Sequence, residues 1–277
     1  MNRAVVITGA SSGIGLSTAI AARDAGFAVY AGVRNERDAE RLREQHGITA
    51  LIIDVTQAQT LHAAADRVRA GEAVLTGIVC NAGIAIGGPV ESVPLDEWRR
   101  QFEVNCIGAV ATVQAFAPLL RASLGRIVLV GSVSGRVAFP YIAPYSASKF
   151  ALRAIADALR LEFAPAHVAV SLIEPGSVKT PIWAKGRAMD ADLRARLTPE
   201  MPAYYERAVD ALVSGLEGEE RGGMPVERVA AAIVRALALP RPPAYHILGA
   251  AAKAATFIGV LPARLRDRVL RRSMHLP

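Results

Sequence analysis

Three side chains near the middle of the chain have the chemistry for proton transfer at a carbonyl group. Ser132 follows a β-branched apolar run that predicts a buried strand over residues 127–130. Tyr145 and Lys149 stand four positions apart in an alanine-rich stretch of helical period, so both fall on one helix face. An ammonium at that spacing is expected to lower the pKa of the phenol, which is roughly 10 in a free tyrosine. The same spacing also occurs by chance on many helices, so the rest of the chain must decide.

The composition favours one large α/β domain spanning residues 1–277, because 52% of the residues are hydrophobic. The N-terminal residues lack the pattern of a secretory signal, and no apolar run reaches the roughly 20 residues that cross a bilayer. Cys80 and Cys106 lie in apolar segments without metal-ligand spacing. They are typical of buried thiols in a reducing compartment, and we expect a cytoplasmic protein that binds no metal.

The net charge of +7 does not by itself indicate a nucleic-acid-binding protein. The basic residues are scattered except near the C-terminus, and aromatic residues do not alternate with them. Nucleic acid is therefore not an expected partner.

A glycine-rich turn follows the first predicted strand, residues 4–8, and precedes a helix that extends to about Ala25. Its glycines are Gly9, Gly13 and Gly15. Strand, glycine turn and helix together are typical of a dinucleotide-binding unit, in which backbone N–H groups at the helix N-terminus bind a pyrophosphate.

The end of the second predicted strand, residues 27–33, indicates which nucleotide is bound. An acidic residue at that place would accept hydrogen bonds from a free ribose 2′-hydroxyl, but Val33 and Arg34 stand there and Arg37 follows. A guanidinium favours a 2′-phosphate, so we expect NADP(H) in preference to NAD(H). The alternative is that Arg34 is only a solvated loop charge.

Helices and strands then alternate, which requires right-handed crossovers and a parallel sheet. We predict helices over residues 36–46 and 57–70, and strands over 48–53 and 76–79. The fold class is a Rossmann-type doubly wound sheet of about seven strands, with helices on both faces and ligands at the carboxyl edge. The candidate residues on that edge are Asp54, Val55, Asn81, Ala82 and Gly83. Asp54 is either an acceptor for the adenine amino group or a helix N-cap, and both roles are compatible.

Two helical stretches over residues 95–123 are divided near Asn105, whose side chain competes for backbone hydrogen bonds and could bind a water there. A strand over residues 168–173 leads to Pro175 and Gly176. The following segment, about residues 177–218, is either a lid over a hydrophobic substrate or a surface helix that packs its own aromatic side chains. A helix over 226–239 and a strand over 244–248 complete the pattern.

The C-terminal extension, about residues 250–277, is apolar at first and then basic. Leu261, Leu265, Val269 and Leu270 predict one amphipathic helix, with basic residues at Arg264, Arg266, Arg268, Arg271 and Arg272. Such a helix would either lie on an anionic membrane surface or dock on a neighbouring subunit, and we favour packing against protein.

Taken together, these motifs resemble those of the short-chain dehydrogenase/reductase family. The resemblance rests on the glycine turn from Thr8 to Gly15, Asn81-Ala82-Gly83, Asn105, Ser132, Tyr145 with Lys149, and Pro175-Gly176. It covers about residues 4–248. The segments 135–139 and 174–176 are most similar to the branch that contains hydroxysteroid and retinol dehydrogenases.

The resemblance implies roles for these residues. Tyr145 would be the general acid in reduction and the base in oxidation, Lys149 would bind the nicotinamide ribose, and Ser132 would orient the carbonyl. Asn105 would hold a water in a proton relay. The remaining cofactor contacts would come from the pyrophosphate turn and the nicotinamide loop, namely Ser11, Ser12, Gly13, Ile14, Val178 and Thr180. Two positions depart from the family pattern: Cys80, where an asparagine often stands, and Ser12, where many NADP-specific members have a basic residue.

The predicted function is an NADP(H)-dependent oxidoreductase that interconverts a hydrophobic ketone or aldehyde with its alcohol. The alternatives are an NAD(H)-dependent alcohol or hydroxysteroid dehydrogenase, and a cofactor-sensing regulator without turnover. A sugar-nucleotide epimerase would need a longer C-terminal substrate domain and another glycine spacing. The resemblance also implies a homodimer or homotetramer.

Overall fold

The structure is a computed structural model that describes residues 2–180, 205–206, 209–210 and 222–274. Its centre is a parallel sheet of seven strands in the order β3-β2-β1-β4-β5-β6-β7. The strands are β1 (Arg3–Ile7), β2 (Ala28–Val33), β3 (Thr49–Ile52), β4 (Val74–Cys80), β5 (Arg126–Val130), β6 (Ala169–Pro175) and β7 (Tyr245–Leu248). The strand order reverses between β1 and β4, which is where doubly wound sheets bind their ligands. The predicted fold class is confirmed.

Helices cover both faces of the sheet. Those described in full are α1 (Gly13–Asp24), α2 (Glu36–His46), α3 (Ala58–Arg69), α4 (Leu95–Phe102), α5 (Gly108–Ser123), α6 (Ala143–Glu162), α7 (Val226–Ala238), α8 (Ala250–Gly259) and α9 (Ala263–Ser273). Successive side chains of β1 point to opposite faces, so Val6 joins the core beneath α3, α5 and α6, and Val5 joins the core beneath α1, α2 and α7. The buried apolar runs predicted as strands are thus buried on both faces.

The predicted bounds of α2 agree with the structure because both of its ends are set by local chemistry. Asn35 is the N-cap, and its side chain accepts a hydrogen bond of 2.9 Å from the backbone N–H of Asp38. Gly47 ends the helix in the left-handed region, with φ at 62°.

By length and composition alone, the stretch Leu95–Ser123 is long and apolar enough to cross a membrane. It is interrupted by a π-helical turn at Glu103–Ile107, so its two halves are α4 and α5. Of its most apolar window, 56% is buried inside the fold. Val113, Phe116 and Leu120 lie in the core, and we assign the stretch to the core and not to a membrane.

The C-terminal extension is two helices, which corrects the prediction of one. The turn before Pro262 separates the apolar α8 from the basic α9, since proline is tolerated at a helix start but not inside a helix. Leu261 therefore lies outside α9. Leu270 is buried, whereas Leu265 remains 44% exposed, so the predicted apolar face is only partly buried.

Most of the predicted lid lies outside the described residues, including Trp183, Met189, Met201 and Tyr204. Among its described residues, Tyr205 makes an edge-to-face contact with Tyr141, with ring centroids 6.4 Å apart. Val209 is fully buried against Ile142 and Tyr145. At least these two positions contact the region around Tyr145.

Candidate active site

The structure brings Ser132, Tyr145 and Lys149 to one place at the carboxyl edge of the sheet. The Nζ atom of Lys149 donates a hydrogen bond of 2.9 Å to the carbonyl oxygen of Val130, the last residue of β5. The same Nζ atom lies 5.6 Å from the centroid of the Tyr145 ring. The first turns of α6 are thus attached to the strand end that carries Ser132.

The loop after β5 is held tightly against α6. Ser132 is the N-cap of a short 3₁₀ turn at Val133–Gly135, and its Oγ atom accepts a hydrogen bond of 3.1 Å from the backbone N–H of Ser134. A Cβ atom at Gly135 would lie only 2.7 Å from the carbonyl oxygen of Lys149. Only glycine permits this approach, which determines how far the Ser132 loop lies from the helix of Tyr145 and Lys149.

Burial changes the acid–base properties of Lys149. The side chain is surrounded by protein, and desolvation of its charged form lowers its pKa from 10.5 to about 8. The ammonium therefore remains the major form at neutral pH, and its positive charge lies beside the Tyr145 phenol. The two cysteines have the opposite character, since burial raises the pKa of both thiols, as expected for structural residues.

Asn105 lies in the π-helical turn, buried below the same site. Its Oδ1 atom accepts from the backbone N–H of Ile84 at 2.9 Å, and its Nδ2 atom donates to the Ile84 carbonyl oxygen at 3.0 Å. Nδ2 also lies 3.0 Å from the hydroxyl of Ser148, which in turn donates to the carbonyl oxygen of Tyr145 at 2.7 Å. Asn105 thus links the loop after β4 to the helix that carries Tyr145. Its binding of a water remains a prediction.

The glycine turn is packed against the end of β4. The Nδ2 atom of Asn81 donates to the carbonyl oxygens of Thr8 and Gly9, at 2.9 and 3.0 Å. A Cβ atom at Gly9, where φ is +66°, would lie 2.8 Å from the Cα atom of Ala82, and one at Gly15 would lie 2.3 Å from the Gly9 oxygen. Asn81 and Ala82 therefore support the turn, while Gly83 lies beside Asn105.

The start of α1 fits a pyrophosphate. Ser12 is the N-cap but makes no side-chain cap hydrogen bond, so the first N–H groups of the helix are not satisfied by that side chain. Gly13 adopts a φ of 56°, and Ser11 and Ile14 on either side are half-buried. The residues present are thus compatible with a bound dinucleotide.

The edge expected to recognise the adenosine is exposed. Arg34 and Arg37 both extend into solvent after β2, and neither makes a hydrogen bond or ion pair within the described part of the chain. The carboxylate of Asp54 accepts hydrogen bonds from the N–H and hydroxyl of Thr56, at 3.0 and 2.7 Å, and the N-cap of α3 is Gln57. Asp54 is thus not the N-cap. Val55 is buried against Gly108 of α5.

The sequence analysis did not identify Arg41 in this region. Its Nη2 atom donates to the carbonyl oxygen of Ser11 at 2.7 Å and forms an ion pair of 3.0 Å with Asp38. Arg41 therefore supports the pyrophosphate turn from α2. The sequence contains no local signal for this contact, since 30 residues separate its two ends.

The nicotinamide side of the site begins where β6 ends. The N–H of Gly176 donates to the carbonyl oxygen of Leu248 at 3.1 Å, which holds Pro175 and Gly176 beside the end of β7. Val178 is buried and forms a short parallel bridge with Met224, and half-buried Thr180 follows. The predicted contacts of this loop thus lie on the same edge as Ser132.

A buried ion pair connects the two loops of the site, and the sequence analysis also missed it. Arg136, just after the Ser132 turn, donates to both carboxylate oxygens of Glu174, at 2.8 and 2.5 Å. The side chains are only 11% and 1% exposed. The guanidinium lies 5.0 Å from the centroid of the Tyr245 ring. Both residues lie in the segments 135–139 and 174–176, which carried the resemblance to the hydroxysteroid and retinol dehydrogenase branch. That resemblance is the one feature of the sequence that pointed to these two segments together.

Apolar and aromatic side chains pack around Tyr145. Buried Ile142 and Val209 pack against it, with partly buried Ala85, Phe139 and Tyr141 around them. A wall of this kind favours an apolar substrate next to the phenol.

Comparison with known proteins agrees with this geometry. Residues 3–191 match the family model for short chain dehydrogenases. The chain is 34% identical to an NADPH-dependent 3-dehydrocapnine reductase from Ornithobacterium rhinotracheale, covering 96% of this chain and 95% of the relative.

Two solved structures have the same fold at 25% identity. A short chain dehydrogenase from Burkholderia cenocepacia in complex with NADP gives a TM-score of 0.74 and covers 100% of this chain and 98% of its own. A short chain dehydrogenase/reductase from Burkholderia phymatum in complex with NAD gives 0.78, with 98% and 95% covered. The chain therefore belongs to the short-chain dehydrogenase/reductase family of NAD(P)-dependent oxidoreductases.

Proposed function

We propose that the protein is an NADP(H)-dependent oxidoreductase that interconverts a hydrophobic ketone or aldehyde with the corresponding alcohol. The observation that carries the proposal is the attachment of Lys149 to the end of β5, which places a buried ammonium beside Tyr145 and the Ser132 loop. When bound, the nicotinamide supplies or accepts the hydride. The protein's residues handle the proton and the orientation of the substrate.

Tyr145 donates its phenolic proton to the substrate oxygen in reduction and accepts a proton from the alcohol in oxidation. The Ser132 hydroxyl donates a hydrogen bond to the same oxygen and stabilises the negative charge that develops there. Lys149 binds the ribose hydroxyls and favours the phenolate through its positive charge. Asn105 holds a water that returns protons from solvent through the region behind Lys149.

We assign cofactor contacts to the edge that the structure describes. The pyrophosphate would be held at Gly9, Ser11, Ser12, Gly13, Ile14 and Gly15, the adenosine at Arg34, Asp54 and Val55, and the nicotinamide with its ribose at Tyr145, Lys149, Pro175, Gly176, Val178 and Thr180. Asn81, Ala82 and Gly83 would line the carboxyl edge that holds the cofactor. Arg34 is exposed and has no partner among the residues that the structure describes, which supports a 2′-phosphate, and the NADPH-dependent relative supports the same preference. NAD(H) is the alternative, since a structural neighbour binds NAD.

The apolar wall around Tyr145 supports a hydrophobic substrate. A regulator without turnover is the less supported alternative, because Tyr145 and Lys149 are both present and held in contact.

We also propose that two copies pair through α5 and α6 in the cytoplasm. In support, Phe150 and Leu161 of α6 are 40% and 74% exposed, and Ile107, just before α5, is 54% exposed.

The test is a panel of ketones, aldehydes and alcohols of increasing chain length, assayed with each nicotinamide cofactor. We expect turnover that favours NADP(H) and rises with the apolar length of the substrate. Absence of turnover across the panel, with cofactor binding retained, would support the regulator and overturn the proposal. Equal kcat/KM for the two cofactors would overturn only the cofactor preference.

A further inference from the structure

The last two helices expose large apolar side chains next to basic ones. Phe257 of α8 is 73% exposed, Val260 in the following turn is 79% exposed, and Leu265 of α9 is 44% exposed. Single exposed apolar residues are common, but these three fall within nine residues of the chain.

The same segment carries a concentrated positive charge. Its basic residues are Lys253, Arg264, Arg266, Arg268, Arg271 and Arg272, and its one acidic residue, Asp267, pairs with Arg266 at 3.2 Å. Arg264, Arg268 and Arg272 repeat every four residues on the exposed face of α9, whereas Leu270 faces inward. None of the three has a carboxylate within 4.0 Å in the described part of the chain.

Helix α8 lies against the candidate active site. A Cβ atom at Gly259 would lie 2.4 Å from the carbonyl oxygen of Arg136, and one at Gly176 would lie 3.3 Å from the Cβ of Ala252. Helix α8 therefore packs on the Ser132 loop and on the nicotinamide loop. A membrane that binds Phe257 and Val260 would therefore lie close to these two loops of the candidate site.

We propose that α8 and α9 dock on an anionic lipid bilayer, from which the site takes an amphiphilic long-chain carbonyl substrate. The inference rests on the proposed function for the substrate and on the two helices for the docking. Exposed apolar side chains enter the acyl boundary, and arginines near them in the chain bind anionic headgroups. A second copy of this chain is a poorer occupant, because a symmetric contact would bring two arginine faces together.

The test is sedimentation of the full chain with two kinds of vesicle. One is phosphatidylcholine alone, and in the other about one lipid in three is the anionic phosphatidylglycerol. We expect binding to the anionic vesicles only, weakened by added salt. The triple variant Arg264→Glu, Arg268→Glu, Arg272→Glu should reduce partitioning about tenfold or more. Phe257→Ser with Val260→Ser should reduce it at both low and high salt.

Matched controls test whether the position of these substitutions matters, and not only the change in net charge or in the number of exposed apolar side chains. Arg67→Glu, Arg69→Glu, Arg228→Glu makes the same change in charge at exposed positions elsewhere, and Val90→Ser with Leu95→Ser removes two comparably exposed apolar side chains, 62% and 69% exposed. These controls should bind vesicles as the parent does. Thermal unfolding of every variant shows that the fold is retained.

Three outcomes would overturn the docking. They are equal binding to neutral and anionic vesicles, equal loss in the α9 variant and its control, and a fall in molar mass by light scattering in the α9 variant, which would show a subunit interface. Turnover of a short water-soluble ketone without vesicles reports on the proposed function separately. If the parent protein turns over the ketone but does not bind anionic vesicles, the docking alone is contradicted. If it binds the vesicles but turns over no substrate, the proposed function alone is contradicted.

Discussion

The proposed catalytic centre and the proposed adenosine-recognition edge lie at the same carboxyl edge of one sheet but are built differently. At the centre, Lys149, Asn105 and Glu174 are buried, and each has a defined partner on another element. At the edge, Arg34 and Arg37 extend into solvent without a partner among the described residues. The centre is therefore organised before any ligand binds, whereas the edge acquires its geometry with the ligand.

The difference follows from the cost of burial. A buried charge or amide without a partner is destabilising by several kcal/mol, so the fold must supply one contact for each group. An exposed guanidinium loses little by having none. Substitutions at the centre should then change chemistry or stability, and substitutions at the edge should change only cofactor choice.

The largest effect is expected for the substitution Tyr145→Phe. Loss of the phenolic proton should lower kcat by about 10³-fold, because general acid–base catalysis contributes 10²–10⁴-fold. NADPH binding, followed by nicotinamide fluorescence, should change less than about threefold, since the ring remains. Turnover within about tenfold of the parent would show that another group moves the proton.

Breaking the buried ion pair should mainly affect stability. Glu174→Gln leaves the Arg136 charge buried and unpaired, which should lower the free energy of unfolding by about 3–5 kcal/mol. Replacing both residues, with Arg136→Met and Glu174→Leu, should recover most of that loss, because two apolar side chains need no charge partner. Urea unfolding measures both.

The exposed pair of Arg99 and Asp96 on α4 is the control for that experiment, with side chains 72% and 91% exposed. Asp96→Asn should leave the unfolding midpoint nearly unchanged. If Glu174→Gln and Asp96→Asn lowered the free energy of unfolding equally, burial of the ion pair would not explain its contribution to stability.

The pH dependence of stability should report on Lys149. Its pKa in the folded chain is about 8, below the ordinary 10.5. Between these values the unfolded chain binds one proton more than the folded chain, so the free energy of unfolding rises with pH, by about 3 kcal/mol in total. Lys149→Met should remove this rise from thermal unfolding measured between pH 7 and 10. Lys253→Met, at an exposed lysine, should retain it, and a rise that persists in Lys149→Met would contradict the assignment.

The smallest effect is expected at the edge. Arg34→Ala should weaken NADPH binding by about 10–100-fold and NADH binding by less than about twofold, because only the 2′-phosphate loses a charged hydrogen bond. Arg41→Ala should weaken both cofactors equally, since Arg41 supports the Ser11 carbonyl of the shared pyrophosphate turn. Equal weakening in Arg34→Ala would count against NADP(H) preference.

The sequence by itself determined the features that depend on neighbouring residues. Alternating strands and helices, the caps of α2 and the helical spacing of Tyr145 and Lys149 all follow from contacts within a few positions. The parallel sheet then placed the strand ends on one edge, as expected, because parallel strands must end together.

Only the tertiary structure decided the contacts between distant segments. Arg136 with Glu174 and Arg41 with Ser11 join residues 38 and 30 positions apart, and neither periodicity nor capping chemistry signals such a pair. The C-terminal helices likewise required the fold to show which apolar residues are buried, since Leu270 packs inward while Phe257 and Val260 remain exposed. Local chemistry selects the elements, but burial and charge pairing depend on which surfaces meet.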